Sequence, residues 1–347
     1  MIRRVGYIIA LCIASTASAQ VPPQPAPFGV KPSASHIELG RKLFFDPRLS
    51  QNGSVSCSTC HDPRKGWADG RALAVGIDGR VGNRHTPTII NSGYTPLVFW
   101  DGRTVATTTQ SLLPLANPNE MANQVNPQND ADVVERLKLI PGYVRLFTES
   151  FNIDTASRSA ITGANLAYAL AAFESSVTSF DAPIDRFEKG DKKALSPDAQ
   201  VGYRIFEKAN CKACHKPPLW TDNLFHNNGF EHAGLIQPRG QFDVGRFNEV
   251  PRNLRTNAMI RAFKTPTLRD HEKTAPYGHH GAMESTERVV LHYSTGGMKF
   301  DGTRDRFMDP RIKPLDLTDT QRKYLATLLK EGFSGSRYPM IEAPTLP

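Results

Sequence analysis

Apolar residues recur at helical spacing over several stretches, whereas strand-like alternation is sparse. In HIELGRKLFFD, Ile37, Leu39, Leu43 and Phe44 fall on one apolar face. A second stretch, LSPDAQVGYRIFEKANC, places Ser196 as N-cap and Pro197 at the first helical position, with Val201, Ile205 and Phe206 apolar. Each stretch carries a glycine, Gly40 and Gly202, that permits a close helix neighbour. Thr162 to Thr178 predicts a further helix, and Thr318 to Gln321 is a capping box opening another over Arg322 to Leu329. The chain thus reads as mostly α and internally duplicated.

Length and composition set the limits. The 347 residues, 39% hydrophobic and 22% charged, suffice for one large or two ordinary domains. A small disulfide-stapled scaffold and an acidic disordered tail are excluded. No run of about eighteen apolar residues occurs, so no helical membrane span is expected. The +8 charge is spread along the chain without a nucleic-acid motif, which favours solubility and an acidic protein partner over nucleic acid. At the start, Arg3 and Arg4, an apolar run from Val5 to Ala14, and Ala17-Ser18-Ala19 make residues 1–19 a secretory signal peptide. The competing reading is a buried N-terminal helix. Cleavage leaves a charge of +6 and places the protein in a bacterial periplasm. A Pro-rich, flexible leader follows over 20–34.

Of five cysteines, Cys12 leaves with the signal peptide. The other four form Cys57-Ser-Thr-Cys60-His61 and Cys211-Lys-Ala-Cys214-His215. Each is C-x-x-C-H, the attachment signature of c-type haem. Two thiols add across the two vinyl groups of one porphyrin, and the adjacent histidine reaches the iron. Two disulfides, or one zinc ion on four thiolates, would not account for a histidine after both pairs. The inference is two covalent haem c groups with His61 and His215 as proximal ligands. Two tandem cytochrome c-like domains are expected at 35–187 and 195–337, with a linker over 188–194 and a tail over 338–347.

With these motifs in place, the chain resembles the bacterial di-haem cytochrome c peroxidase family, in its MauG/MbnH-type branch. The resemblance runs over about residues 36–335. It is carried by ELGRKLFFDPRLS, VSCSTCHDPRKGWADG, RHTPTIINSGY, FWDGR, NPNEM, GYRIFEKANCKACH and FKTPTLRDHEKTAPYGHHGAMESTERVVLHY.

The resemblance implies a ligand pattern. Ordinary members carry a blocking histidine sixteen residues after the first haem-binding histidine; here that position is Ile77. The first haem is therefore expected to be five-coordinate, with His85 the nearest competing ligand. The sixth ligand of the second haem falls on Tyr293, seventeen residues after Pro276, where ordinary members have methionine. Met298, five residues later, is the rival ligand. Glu120, Gln110 and Trp100, spaced by ten, match the catalytic positions: acid–base, peroxide-holding and inter-haem relay. Pro114 matches a further pocket position. Thr274 and Pro276 match positions that offer carbonyls to a calcium ion, but His85 replaces the asparagine expected there.

What the resemblance implies is a periplasmic peroxidase, an oxidoreductase. Hydrogen peroxide would form a high-valent di-haem state that oxidises an aromatic residue, tryptophan, on a partner protein. The surface tryptophan of the MauG exit route is absent, since Ala209 stands there, leaving Trp67 and Trp220 as alternative exits. Two other readings stand beside it. One is a peroxide-detoxifying cytochrome c peroxidase fed by a small cytochrome c or cupredoxin. The other is a non-catalytic di-haem electron-transfer cytochrome.

Overall fold

The computed structural model describes residues 31–105, 107–123, 132–153, 158–230, 242–297, 304–335 and 337–347. The expected signal peptide and most of the leader lie outside these residues. Helices supply the framework: α1 (Ala34–Phe44), α2 (Cys57–Cys60), α3 (Thr107–Gln110), α4 (Leu113–Ala116), α5 (Asp132–Lys138), α6 (Pro141–Phe151), α7 (Gly163–Ser176), α8 (Pro183–Glu188), α9 (Pro197–Lys208), α10 (Thr286–Ser294) and α11 (Asp319–Gly332). A two-residue ribbon pairs β1 (Phe225–His226) with β2 (Phe263–Lys264), antiparallel, with Phe225 opposite Lys264.

The duplication lies in two crossed helix pairs. Helix α1 starts at the N-cap Ser33 and buries Leu39, Leu43 and Phe44. It crosses α7 at Gly40, where a Cβ would stand 1.9 Å from the Ala169 carbonyl oxygen. In the second half, α9 begins with Ser196 as N-cap and Pro197 in its first turn. It crosses α11 at Gly202, where a Cβ would stand 2.2 Å from the Tyr324 carbonyl oxygen. Both glycines are there for backbone approach, since any side chain would drive the helices apart. The capping box at Thr318 and Gln321 opens α11, which runs past the expected Leu329 to Gly332.

Two hydrophobic cores result. The first gathers Leu39, Phe44, Trp67, Tyr143, Phe147 and Phe173; the second gathers Phe206, Trp220, Val290, Leu328 and Phe333. Two expected boundaries move. Ala182, Ile184 and Phe187 pack into the second core, so α8 belongs with the second half instead of ending the first at 187. Helix α8 is short, and Ile184 and Phe187 form an apolar pair three residues apart that the second core covers. Tyr338 and Ile341 pack on the first core, so residues 338–347 run back across the molecule instead of trailing from the second half.

Candidate functional site

The two C-x-x-C-H segments fold alike. His61 donates its backbone amide to the Cys57 carbonyl at 2.8 Å, and His215 to that of Cys211 at 2.9 Å. The turn brings Cys60 and His61, and likewise Cys211, Cys214 and His215, to one cavity, while Cys57 packs against the first core. The four sulfurs are free, and burial pushes the Cys60 and Cys211 thiols up to about 12.

Both imidazoles are oriented by one device. His61 Nδ1 is 3.0 Å from the Trp67 carbonyl oxygen, and His215 Nδ1 is 3.1 Å from that of Trp220. Donation from Nδ1–H to a carbonyl leaves Nε2 with its lone pair, the state a metal-ligating histidine needs. Burial also lowers the pKa of both rings, keeping them neutral. The two tryptophans hold left-handed backbone, φ +60° and +56°. That conformation costs a bulky residue roughly 1–3 kcal/mol and persists only where its surroundings impose it. Both indoles are fully buried. Neither indole reaches the surface, and each of these tryptophans anchors a histidine from inside a core.

A cavity of about 1000 Å³ runs between the halves, and His61, His215, Cys60, Cys211 and Cys214 line it. Glu120, Gln110, Pro114, Trp100 and Tyr293 line it as well. Volume, free thiols and tautomer-fixed imidazoles fit tetrapyrrole rings carried by two histidines.

On the first side, Ile77 points away from this space and is buried in the first core. Its backbone amide donates to the Glu120 carbonyl at 2.9 Å. Gly76 fits only because it lacks a side chain: a Cβ would lie 2.2 Å from the Asn119 carbonyl oxygen and 2.7 Å from Glu120 Cα. Glu120 sits in a turn and not at a helix N-terminus. Burial raises its pKa, while the Arg103 charge and a 2.6 Å bond from Asn117 Nδ2 to Oε1 act in the other direction. Gln110 ends α3, and Pro114 lies in the first turn of α4.

Between the halves, Trp100 donates its indole N–H to the His85 carbonyl at 2.9 Å. The Trp100 carbonyl in turn accepts the Lys264 amide at 2.8 Å. Lys264 is half-buried beside it and drawn down to about 8 by loss of water around its amine. The His85 ring bonds the backbone at Arg71, 2.6 Å from Nδ1, and at Thr274. It is thus engaged by main chain, as a core histidine is. Its place beside the Thr274 backbone does not suit calcium, which takes six to eight oxygen ligands. We derive no role for calcium at Thr274 and Pro276.

On the second side, Tyr293 projects from α10 with its hydroxyl accepting from Asn228 Nδ2 at 3.1 Å. Burial pushes this phenol up to about 12. Val290 of the same helix is buried in the second core, so α10 serves packing and cavity at once. The rival ligand Met298 lies outside the described residues. Sequence reading missed Asn228, Asn117 and the two orienting tryptophans. Only the last had a visible signal: each C-x-x-C-H is followed by a tryptophan five or six residues beyond its histidine.

Comparison with known proteins places the chain among relatives. The family model described as di-haem cytochrome c peroxidase matches residues 34–193. Methylamine utilization protein MauG of Methylorubrum extorquens is 38% identical over 295 residues, covering 85% of this chain and 77% of the relative. Cytochrome-c peroxidase IdrP1 of Denitromonas iodatirespirans is 33% identical over 379 residues, covering 100% of this chain and 96% of the relative. Among solved structures, a MauG-like protein associated with microbial copper homeostasis matches with a TM-score of 0.80 at 29% identity, covering 93% of this chain and 97% of that one.

Proposed function

Since the chain belongs to the di-haem cytochrome c peroxidase family, we propose that it is a periplasmic peroxidase of the MauG-like kind, carrying two covalent haem c groups and oxidising an aromatic residue, tryptophan, on a partner protein. Cys57, Cys60 and His61 would hold the first haem, and Cys211, Cys214, His215 and Tyr293 the second. When bound, these groups would supply the iron for peroxide reduction and the capacity to store its two oxidising equivalents. The protein supplies position and protons. Glu120 takes a proton from one peroxide oxygen and returns it to the other, a role suited to a carboxyl whose pKa is raised toward the working pH. The Gln110 amide, which lines the same cavity, would position the peroxide. Asn228 donates to the Tyr293 oxygen and so favours its anionic form, and a ferric centre would lower that phenol's pKa further. Trp100, which lines the same cavity as both histidines, would be the relay.

The observation that carries this reading is Tyr293 at the cavity, whose phenol oxygen accepts from Asn228 there. A hard anionic donor favours oxidised iron, which suits storage over intake of electrons from a small donor protein. A detoxifying peroxidase would need such intake, as the relative's name cytochrome-c peroxidase suggests for that protein. The test is to replace Tyr293 by methionine and measure the second haem's reduction potential. A rise is expected; an unchanged potential would remove Tyr293 from the coordination sphere.

A further inference from the structure

His61 and His215 are braced alike, yet the braces are anchored differently. The Trp220 indole nitrogen lies 3.5 Å from Asp185 Oδ1, within the second core's own shell. Asp185 is itself clamped by both terminal nitrogens of Arg269, at 2.7 and 2.8 Å. The Trp67 indole instead donates to the Pro339 carbonyl at 3.0 Å, across 272 positions of sequence. The segment containing Pro339 is tied down along its length. The Tyr338 hydroxyl donates to the Pro63 carbonyl. Arg41 reaches the Glu342 carbonyl at 2.9 Å, Lys42 that of Thr345 at 2.7 Å, and Arg48 that of Pro347 at 3.1 Å. Three cations on or just after α1 thus grip main-chain oxygens of the far end of the chain.

We propose that residues 338–347 form a strap that positions His61 through Trp67. The inference rests on reading His61 as an iron ligand. The direction of the Trp67 carbonyl follows from its left-handed backbone, which an unanchored tryptophan would leave. The strap holds the indole, and Phe44 and Phe173 flank it at 5.8 and 6.0 Å between ring centres. With the indole bond gone, Trp67 relaxes and its carbonyl leaves Nδ1. The imidazole then loses both its fixed orientation and the acceptor that raises its basicity. Loss of such a partner typically costs about 10–100-fold in metal affinity or activity. His215 has its own anchor at Asp185 and stays unaffected. Trp67 is in these terms a positioning residue, and the strap sets the first haem alone.

The experiment compares the haem-loaded protein with Trp67→Phe and with a chain ending at Arg337. The iron–histidine stretching band of the reduced first haem, and amide hydrogen exchange over residues 62–68, are the readouts. Both variants are expected to shift that band to lower frequency and broaden it. Exchange over 62–68 should speed up at least about tenfold as protection is lost. The second haem's low-spin signals should not change. An unchanged band and unchanged exchange in Trp67→Phe would overturn the proposal. Trp67→Phe keeps an aromatic ring in the core and decides the matter if the shortened chain does not fold. Intact mass of the unmodified protein reports separately on the haem reading. If the first haem is missing there, that reading fails, while exchange over 62–68 still tests the strap.

Discussion

Ile77 donates its backbone amide to the carbonyl of Glu120 at 2.9 Å, while its side chain is sealed in the first core. The loop that could carry a blocking ligand is thereby fastened to the residue proposed to handle peroxide protons. Closing the site would mean breaking that bond and extracting a buried isoleucine, which costs about 1.5–3 kcal/mol for the side chain alone.

Gly76 is the tightest point of this fastening. Gly76→Ala is expected to displace the Asn119–Glu120 stretch and slow the reaction with peroxide by at least tenfold. Overpacking of this kind costs about 1–3 kcal/mol of stability. Gly82→Ala is the comparison, because its Cβ would meet Ala74 at an ordinary 3.5 Å. Stopped-flow rates for the two variants check this, and equal rates would remove Gly76 from the positioning of Glu120.

Glu120 should set a limb in the pH–rate profile. Its carboxyl must be ionised to accept the first peroxide proton, and its pKa is raised by burial. The rate with peroxide therefore rises with pH through a midpoint above the ordinary 4.5. Glu120→Gln should flatten that limb and lower the rate about 10²–10⁴-fold. Asn117→Ala removes a bond that favours the carboxylate, so its limb should move to higher pH. A limb left in place by both substitutions would assign the titration elsewhere.

Glu174, which lines the cavity, supplies a prediction about stability. This carboxyl of α7 is pushed up to about 8 by burial, from 4.5. Folded protein keeps its proton where unfolded chain has lost it. The stabilisation is whole below pH 4.5, shrinks by up to about 1.4 kcal/mol per pH unit, and is gone above pH 8. Glu174→Gln cannot ionise. Its thermal midpoint should match the parent at pH 5 and exceed it at pH 8.5, by roughly 2 kcal/mol or more in stability. A difference that does not vary with pH would contradict the assignment.

The helix crossings give a paired test. Gly40→Ala and Gly202→Ala each gain about 1 kcal/mol in helix propensity. Each also drives a methyl group into a facing carbonyl. Both proteins are expected to be less stable by about 2 kcal/mol or more, measured by thermal or denaturant unfolding. A stabilised variant would mean that the helices part easily.

These crossings also mark how far the chain could be read before its fold was seen. Ser33 and Asn228 gave no warning, but Gly40, Gly202, Ser196 and Thr318 declare helices and their contacts because caps and close packing are local matters. Both C-x-x-C-H turns were legible for the same reason. Asn228 and Asn117 were not, since each acts through one side-chain bond to a residue that only the fold brings near. The α8 boundary was missed because two apolar residues in one short helix cannot say which core will cover them. The strap was missed because its contacts are made by carbonyls of Pro339, Glu342, Thr345 and Pro347, and main-chain oxygens leave no mark in side-chain patterning.

The most direct measurement is electron paramagnetic resonance of the fully oxidised protein, before and after hydrogen peroxide is added without any reductant. We predict one high-spin and one low-spin ferric haem, the low-spin signal altered in Tyr293→Met, and loss of both ferric signals to a persistent oxidised species on adding peroxide. Two low-spin haems at the outset, or a reaction that begins only after one haem has been reduced, would contradict the account.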